Sequence, residues 1–186
     1  MRFLAKQPPL SPGEPGLHVL ALVAVPSYQL EERDSTWLVQ APLVVFNEVS
    51  VPASSAQVFA VLADIGNWQA WCTGVSESVV VGPLTTGVGA RRRVKAGGVR
   101  FEERFVTWED GVRVTFSGLT TSAPGFRSLV EDWSVAPDPI DPSKSVLTQT
   151  MGVAFRGALR PLAGVLRWYL QRATRRGALG MAKHFA

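Results

Sequence analysis

The stretch VSVPASSAQVFAVLADIGNWQAW, residues 49–71, sets out a strand, a stop and a helix in succession. Val49 to Val51 close a β-branched, partly alternating run that begins at Pro42 (PLVVFNEVSV), the pattern of a strand. Pro52 stops that strand, and Ser54 or Ser55 offers a hydroxyl to the free N–H groups of a helix start. Val58, Phe59, Val61 and Leu62 supply an apolar stripe at helical spacing, and Gly66 is expected to end the helix. Trp68 and Trp71, two of six tryptophans, follow at once.

Downstream, strand-like runs alternate with turn signals. SESVVVGP and GARRRVKA come first. Gly97-Gly98 then turns the chain into VRFEERFVTW, and Asp110-Gly111 turns it again into VRVTFSGL. FRSLVEDWSV and SVLTQTMGVAF complete about six antiparallel strands in a meander. From about Gly157 to Phe185 the period becomes helical. Leu159, Leu162, Ala163, Leu166, Leu170 and Ala173 fall on one face, and Pro161 sits in the first turn, where its missing N–H costs nothing. Gly177 and Gly180 are expected to weaken the far end.

Upstream, residues 1–40 read as a separate, loosely structured extension. KQPPLSPGEPG is too rich in Pro and Gly for regular structure. LHVLALVAV (residues 17–25) has the length of one strand or of a poor signal-peptide core, with no clean cleavage site after it.

At 186 residues, with 46% hydrophobic and 18% charged content, the chain has the composition of one globular domain. It contains no run of ~18 apolar residues that would span a bilayer. Cys72 is the only cysteine, which excludes an internal disulfide and a multi-cysteine metal site and fits a reducing cytoplasm. The net charge of +4 is unevenly spread. No acidic residue follows Asp141, whereas Lys144, Arg156, Arg160, Arg167, Arg172, Arg175, Arg176 and Lys183 do. Such a segment is either a solvated helix face or a surface for anionic partners.

Familiar catalytic patterns are missing. Gly87-Val88-Gly89 lacks the third glycine and the following helix of a dinucleotide site. His18 and His184 stand near opposite ends of the chain, so no histidine-based metal site or triad is expected. No metal or cofactor is expected, and nucleic acid is a poor fit because the basic strand has no interleaved aromatics.

A strand, two short helices, six further strands and a long last helix make an α+β helix-grip plan: a strongly bent antiparallel sheet of about seven strands wrapping the C-terminal helix. The residue 49–71 stretch also resembles the opening of the START-like (SRPBCC) superfamily, of the polyketide cyclase/dehydrase and lipid-transport type. GPLTTGVGARRR, FEERFVTWEDG and EDWSV are similar to later strands of that family. The resemblance covers about Pro42 to Phe185, within a domain read as residues 41–186, and leaves residues 1–40 outside it. It implies a cavity between sheet and last helix that holds a hydrophobic small molecule, such as a lipid, isoprenoid or polyketide-like compound, without catalysis. The alternative it implies is a cyclase, aromatase or dehydrase using a buried carboxyl or Arg.

Alternation on the strand after Gly98 puts Phe101, Glu103 and Phe105 on one face and Arg100, Glu102, Arg104 and Trp108 on the other. Glu103 in that apolar setting must hold its proton or pair with a cation, Arg91 or Arg93 being candidates. It is the one candidate for catalysis. Glu131, two residues before Trp133, poses the same question. Arg91 and Arg93 point one way and Arg92 the other. The candidate ligand-binding residues are therefore Trp71, Arg93, Phe101, Glu103, Phe105, Phe116, Glu131, Trp133, Leu166 and Leu170. Trp68 and Trp71 either pack the short helix or touch ligand. A further reading has the Arg-rich last helix, with Trp168 on it, meeting anionic membrane.

Overall fold

A computed structural model describes residues 26–186. The strand and signal-peptide readings of residues 17–25 lie outside the described residues. The elements run β1 (Tyr28–Gln29), a 3-10 helix (Ser35–Gln40), β2 (Leu43–Val51), α1 (Ser55–Ala63) and a 3-10 turn (Trp68–Ala70). Then come β3 (Val75–Val81), β4 (Arg91–Ala96), β5 (Val99–Glu109), β6 (Arg113–Thr121), β7 (Phe126–Pro137) and β8 (Ser145–Phe155). A 3-10 segment (Gly157–Leu162) leads into α2 (Ala163–His184). The sheet order is β2-β8-β7-β6-β5-β4-β3, antiparallel throughout, with β1 joined to β6. The long last helix lies on its inner face, so the fold is the α+β helix grip.

Local chemistry sets the elements. Ser54 accepts from the Gln57 backbone N–H, and the Gln57 side chain accepts from the Ser54 N–H, a reciprocal cap on α1. The helix ends at Asp64, two residues before the expected Gly66, and Gly66 does not take a positive φ. Its lack of a side chain instead admits Val80, whose Cγ2 would lie 3.3 Å from a Cβ there. Gly97 and Gly98 both have positive φ, as a two-residue hairpin requires. Between Phe105 and Thr107 the register shifts by a bulge. The bulge overturns the expected alternation: Trp108 packs edge-on against Phe105 (5.4 Å) and Phe59 (6.2 Å), on the inner side.

α2 is seated unevenly. Over its second half Gly177, Ala178, Gly180 and Met181 are buried. A Cβ on Gly180 would overlap the Trp71 carbonyl oxygen, and one on Gly177 would come 3.1 Å from Cys72 Sγ. These glycines therefore permit close packing on the 71–73 loop instead of weakening the helix. Over the first half, Leu166 and Leu170 are half-buried, whereas Val165, Trp168 and Tyr169 are exposed. The buried stripe drifts to Gly177, Ala178 and Met181, which leaves Leu162 and Ala173 on the exposed side, contrary to the face read from periodicity.

Residues 26–40 do not behave as a loose extension. β6 and β7 stop pairing beyond Ser117–Val130, and the chain at 28–31 occupies the opening. The Leu30 N–H donates to the Leu119 carbonyl on one side, and the Glu31 N–H donates to the Arg127 carbonyl on the other. Ion pairs Glu31–Arg127 and Glu32–Arg104 fasten this segment to the sheet. Trp37 and Leu38 lie over Gly152, where a Cβ would come within 3.2 Å of both.

Candidate functional site

The inner face of the sheet carries two apolar clusters separated by a polar row. At one end Val51, Phe59, Leu62, Trp68, Trp71, Phe105, Phe116, Trp133 and Met181 pack together. At the other, Leu43, Val45, Met151, Val153 and Phe155 meet Phe126, Leu166 and Leu170. Between them lie Arg92, Glu103, Glu131, Gln149 and Asn47, contributed by β4, β5, β7, β8 and β2.

Arg92 and Glu103 are 1% and 4% exposed, and Arg92 Nε donates to Glu103 Oε2 at 2.7 Å. The guanidinium lies 3.7 Å from the centre of the Trp68 ring and 4.4 Å from that of Phe116, so aromatic faces replace water around it. Burial pushes the Glu103 carboxyl up from the ordinary glutamate range, opposed by Arg92. Glu131 accepts from Trp133 Nε1 (3.0 Å) and Gln149 Nε2 (2.9 Å). Burial first, and then the nearby Glu103, raise its pKa to about 7, while Arg92 pulls the other way. Asn47 Nδ2 donates to Gln149 Oε1 and to Thr174 Oγ1, and Gln171 of α2 donates to Asn47 Oδ1. The row therefore runs unbroken from Glu131 to α2.

The ten expected ligand-binding positions divide. Trp71, Glu103, Phe105, Phe116, Glu131 and Trp133 meet at the polar row and the cluster beyond it. Phe101, packed edge-on to Phe126 at 5.8 Å, joins Leu166 and Leu170 at the other end. Arg93 does not: it is exposed and pairs in register with Glu102 on the outer face. Arg92 takes the inward place, and it also replaces Arg91 and Arg93 as the partner of Glu103. Arg91 instead pairs with Glu102. Among the described residues Glu131 makes no cross-strand ion pair; its neighbour Asp132 does, with Arg113 at 2.6 Å. Asn47 and Gln149 were not among the expected residues, yet they occupy inward positions of β2 and β8 whose neighbours are apolar. Trp68 and Trp71 pack as expected, their ring centres 4.9 Å apart, with Trp68 Nε1 donating to the Leu62 carbonyl. Cys72 is buried, and burial holds its thiol up at about 12, an inert group. Among the described residues no group of three His, Cys, Asp or Glu is placed to hold a metal.

The profile of a family described as polyketide cyclase/dehydrase and lipid transport matches residues 43–186. The chain belongs to the polyketide cyclase/dehydrase and lipid-transport family. A curated relative in Mycobacterium tuberculosis, itself of unassigned function, is 31% identical over 150 residues, 80% of this chain and 88% of the relative. A START superfamily protein of Mycobacterium smegmatis superposes with a TM-score of 0.63 at 13% identity, covering 76% of this chain and 96% of the other. The Zhui aromatase/cyclase of a Streptomyces species does so with a TM-score of 0.58 at 19% identity, covering 76% and 90%. At these identities the structures establish the fold that the family shares. The polar row lies on the sheet face that the last helix covers. No helix among the described residues is long and apolar enough to cross a membrane.

Proposed function

We propose that this family member binds a hydrophobic small molecule between the sheet and α2, without covalent chemistry. The observation that carries the reading is the half-buried wall of Phe101, Phe126, Leu166 and Leu170 ending at an inward polar row. Glu131 is desolvated by the surrounding protein yet keeps some accessible surface, which supports a place for it beside the ligand. α2 sits closely at its C-terminal half and less deeply at its N-terminal half, which supports an entry near Tyr169 and the β4–β5 hairpin. The Tyr169 hydroxyl would lie 3.6 Å from a Cβ on Gly97. An apolar body against this wall gains roughly 25 cal/mol per Å² buried, enough for useful affinity. Native mass spectrometry of freshly purified protein, followed by extraction, tests this. A discrete hydrophobic mass released intact is expected. A protein that arrives empty and takes up no fatty acid, isoprenoid or polyketide-like phenol removes the reading.

One observation favours a catalytic alternative. Glu131 titrates near neutrality beside Arg92 and Glu103, the condition of a general acid or base. Turnover of a poly-β-ketone that is lost in Glu103→Gln or Glu131→Gln while binding persists would replace the carrier reading.

We also propose that the first half of α2 meets anionic membrane when ligand exchanges. Val165 (69% exposed), Trp168 (66%) and Tyr169 stand clear of the fold, with Arg167, Arg172, Arg175 and Arg176 exposed on the same helix. Apolar rings beside cations on one helix suit a headgroup layer. A cytoplasmic setting is our reading, supported by a single buried thiol.

A further inference from the structure

Position 118 of β6 faces the interior without a side chain, and a residue from another strand takes its place. Gly118 stands in register with Glu103, and Glu103 with Arg92, so it belongs to the inward-facing side of the sheet. From the opposite edge, Leu43, Val153 and Leu129 stand in register on the same face. Pairing of β6 with β7 ends at Ser117–Val130, so these two lines of inward residues meet over a gap. Leu30 closes it. Its Cδ1 would lie 2.7 Å from a Cβ on Gly118, with Leu129 Cβ 3.6 Å from the same point. The register of β1 agrees. Tyr28 pairs with Thr121, and Thr121 with Phe101, which puts Tyr28 on the inner face and Leu30, two residues on, with it.

Resting on the binding reading above, we propose that Leu30 is a wall residue of the ligand site and sets the length of the apolar body the site accepts. Its side chain stands beside Glu103, where the wall of Phe101, Phe126, Leu166 and Leu170 meets the polar row. An apolar body lying along that wall reaches Leu30 at its inner end. The stop is fixed in place: the Leu30 N–H donates to the Leu119 carbonyl, the Glu31 N–H donates to the Arg127 carbonyl, and Glu31 pairs with Arg127. A close-packed position of this kind yields little to an arriving group. The residue that sets ligand length thus comes from chain that precedes residue 43, where the family profile starts. Relatives alike over the profile are free to differ in ligand length through this one strand.

Two measurements on the full chain test this. The first is a melting-temperature cycle. Gly118→Ala is expected to lower the melting temperature, and Gly118→Ala with Leu30→Ala to recover part of that loss, because the two side chains compete for one volume. The second is isothermal titration calorimetry with decanoate, dodecanoate and tetradecanoate. Leu30→Val removes one carbon from the wall and Leu30→Ala removes three. The ratio of tetradecanoate to decanoate affinity is expected to rise in that order, by about fourfold for each methylene newly buried. Leu38→Ala takes the same atoms from the outer face, over Gly152, and is expected to leave the ratio unchanged whatever it does to the melting temperature. Strictly additive losses in the cycle, a ratio unmoved by both Leu30 variants, or one moved equally by Leu38→Ala overturns the proposal while the binding reading stands. Failure of all three alkanoates to bind the unaltered chain also overturns it, and the mass released from freshly purified protein then decides the binding reading separately.

Discussion

Arg92 and Glu103 face each other across β4 and β5, bonded at 2.7 Å and sealed from water by Trp68 and Phe116. Removing one member strands the other. Arg92→Met is expected to cost about 3–5 kcal/mol, because a buried carboxylate loses its partner. The double variant Arg92→Met with Glu103→Gln is expected to recover a large share of that loss. Urea denaturation of the two single variants and the double variant checks this, and strict additivity would show that the pair does not act as a unit.

Glu131 makes stability depend on pH. Its folded pKa, about 7, lies above its unfolded value near 4.5, so the folded state holds the extra proton between them. Stability is therefore full below about pH 4.5 as far as this group is concerned, falls as pH rises, and levels off above about pH 7. The loss is up to about 3 kcal/mol. Glu131→Gln keeps the acceptor for Trp133 and Gln149 and is expected to flatten the slope. An unchanged slope, read from thermal melts between pH 5 and pH 8 (roughly the window in which carboxyl linkage acts), would place the proton elsewhere.

Two glycines of one helix are expected to respond with opposite sign. Gly164 has nothing within 4 Å of where a Cβ would stand, so Gly164→Ala gains helix propensity, a few tenths to about 1 kcal/mol. At Gly180 the same methyl overlaps the Trp71 carbonyl, so Gly180→Ala must push α2 off the 71–73 loop. A loss of about 2 kcal/mol or more is expected. Paired thermal melts decide it, and a stabilised Gly180→Ala would mean that the helix is not seated as described.

The membrane reading predicts co-sedimentation with vesicles containing phosphatidylserine, little with phosphatidylcholine alone, and weakening by salt. Trp168→Ala and Arg172→Glu are each expected to reduce binding several-fold with melting temperature unchanged. Binding indifferent to lipid charge would sink it.

Much of this architecture was legible because local chemistry decides it. Pro52, the Ser54 cap, Gly97-Gly98 and Asp110-Gly111 each place a boundary without help from the rest of the chain. The Gly97-Gly98 turn held more than was read from it. A two-residue hairpin pairs Ala96 with Val99, and counting back pairs Arg92 with Glu103 and Arg93 with Glu102. The ion pair and the outward Arg93 were thus available from sequence. The bulge that turns Trp108 inward was not, since nothing in RFVTWED marks an extra residue. Gly177 and Gly180 read as helix weakeners because propensity counts only the helix itself. Their use lies in the Trp71–Thr73 backbone, more than a hundred residues away in sequence. Asn47 and Gln149 escaped notice for a related reason: a polar residue in an apolar strand face signals a site only once its partners are known.

The short passage of chain at residues 28–31 changes where this protein begins as a physical object. The family profile starts at residue 43, yet the slot between β6 and β7 is filled by Leu30, whose Cδ1 would lie 2.7 Å from a Cβ on Gly118. A chain cut at the family boundary would keep every residue of the polar row and still expose two unpaired strand edges with an apolar notch between them. Unpaired edges recruit other edges. The family outline and the closed sheet therefore differ here by the fifteen or so residues from Tyr28 to the start of the profile.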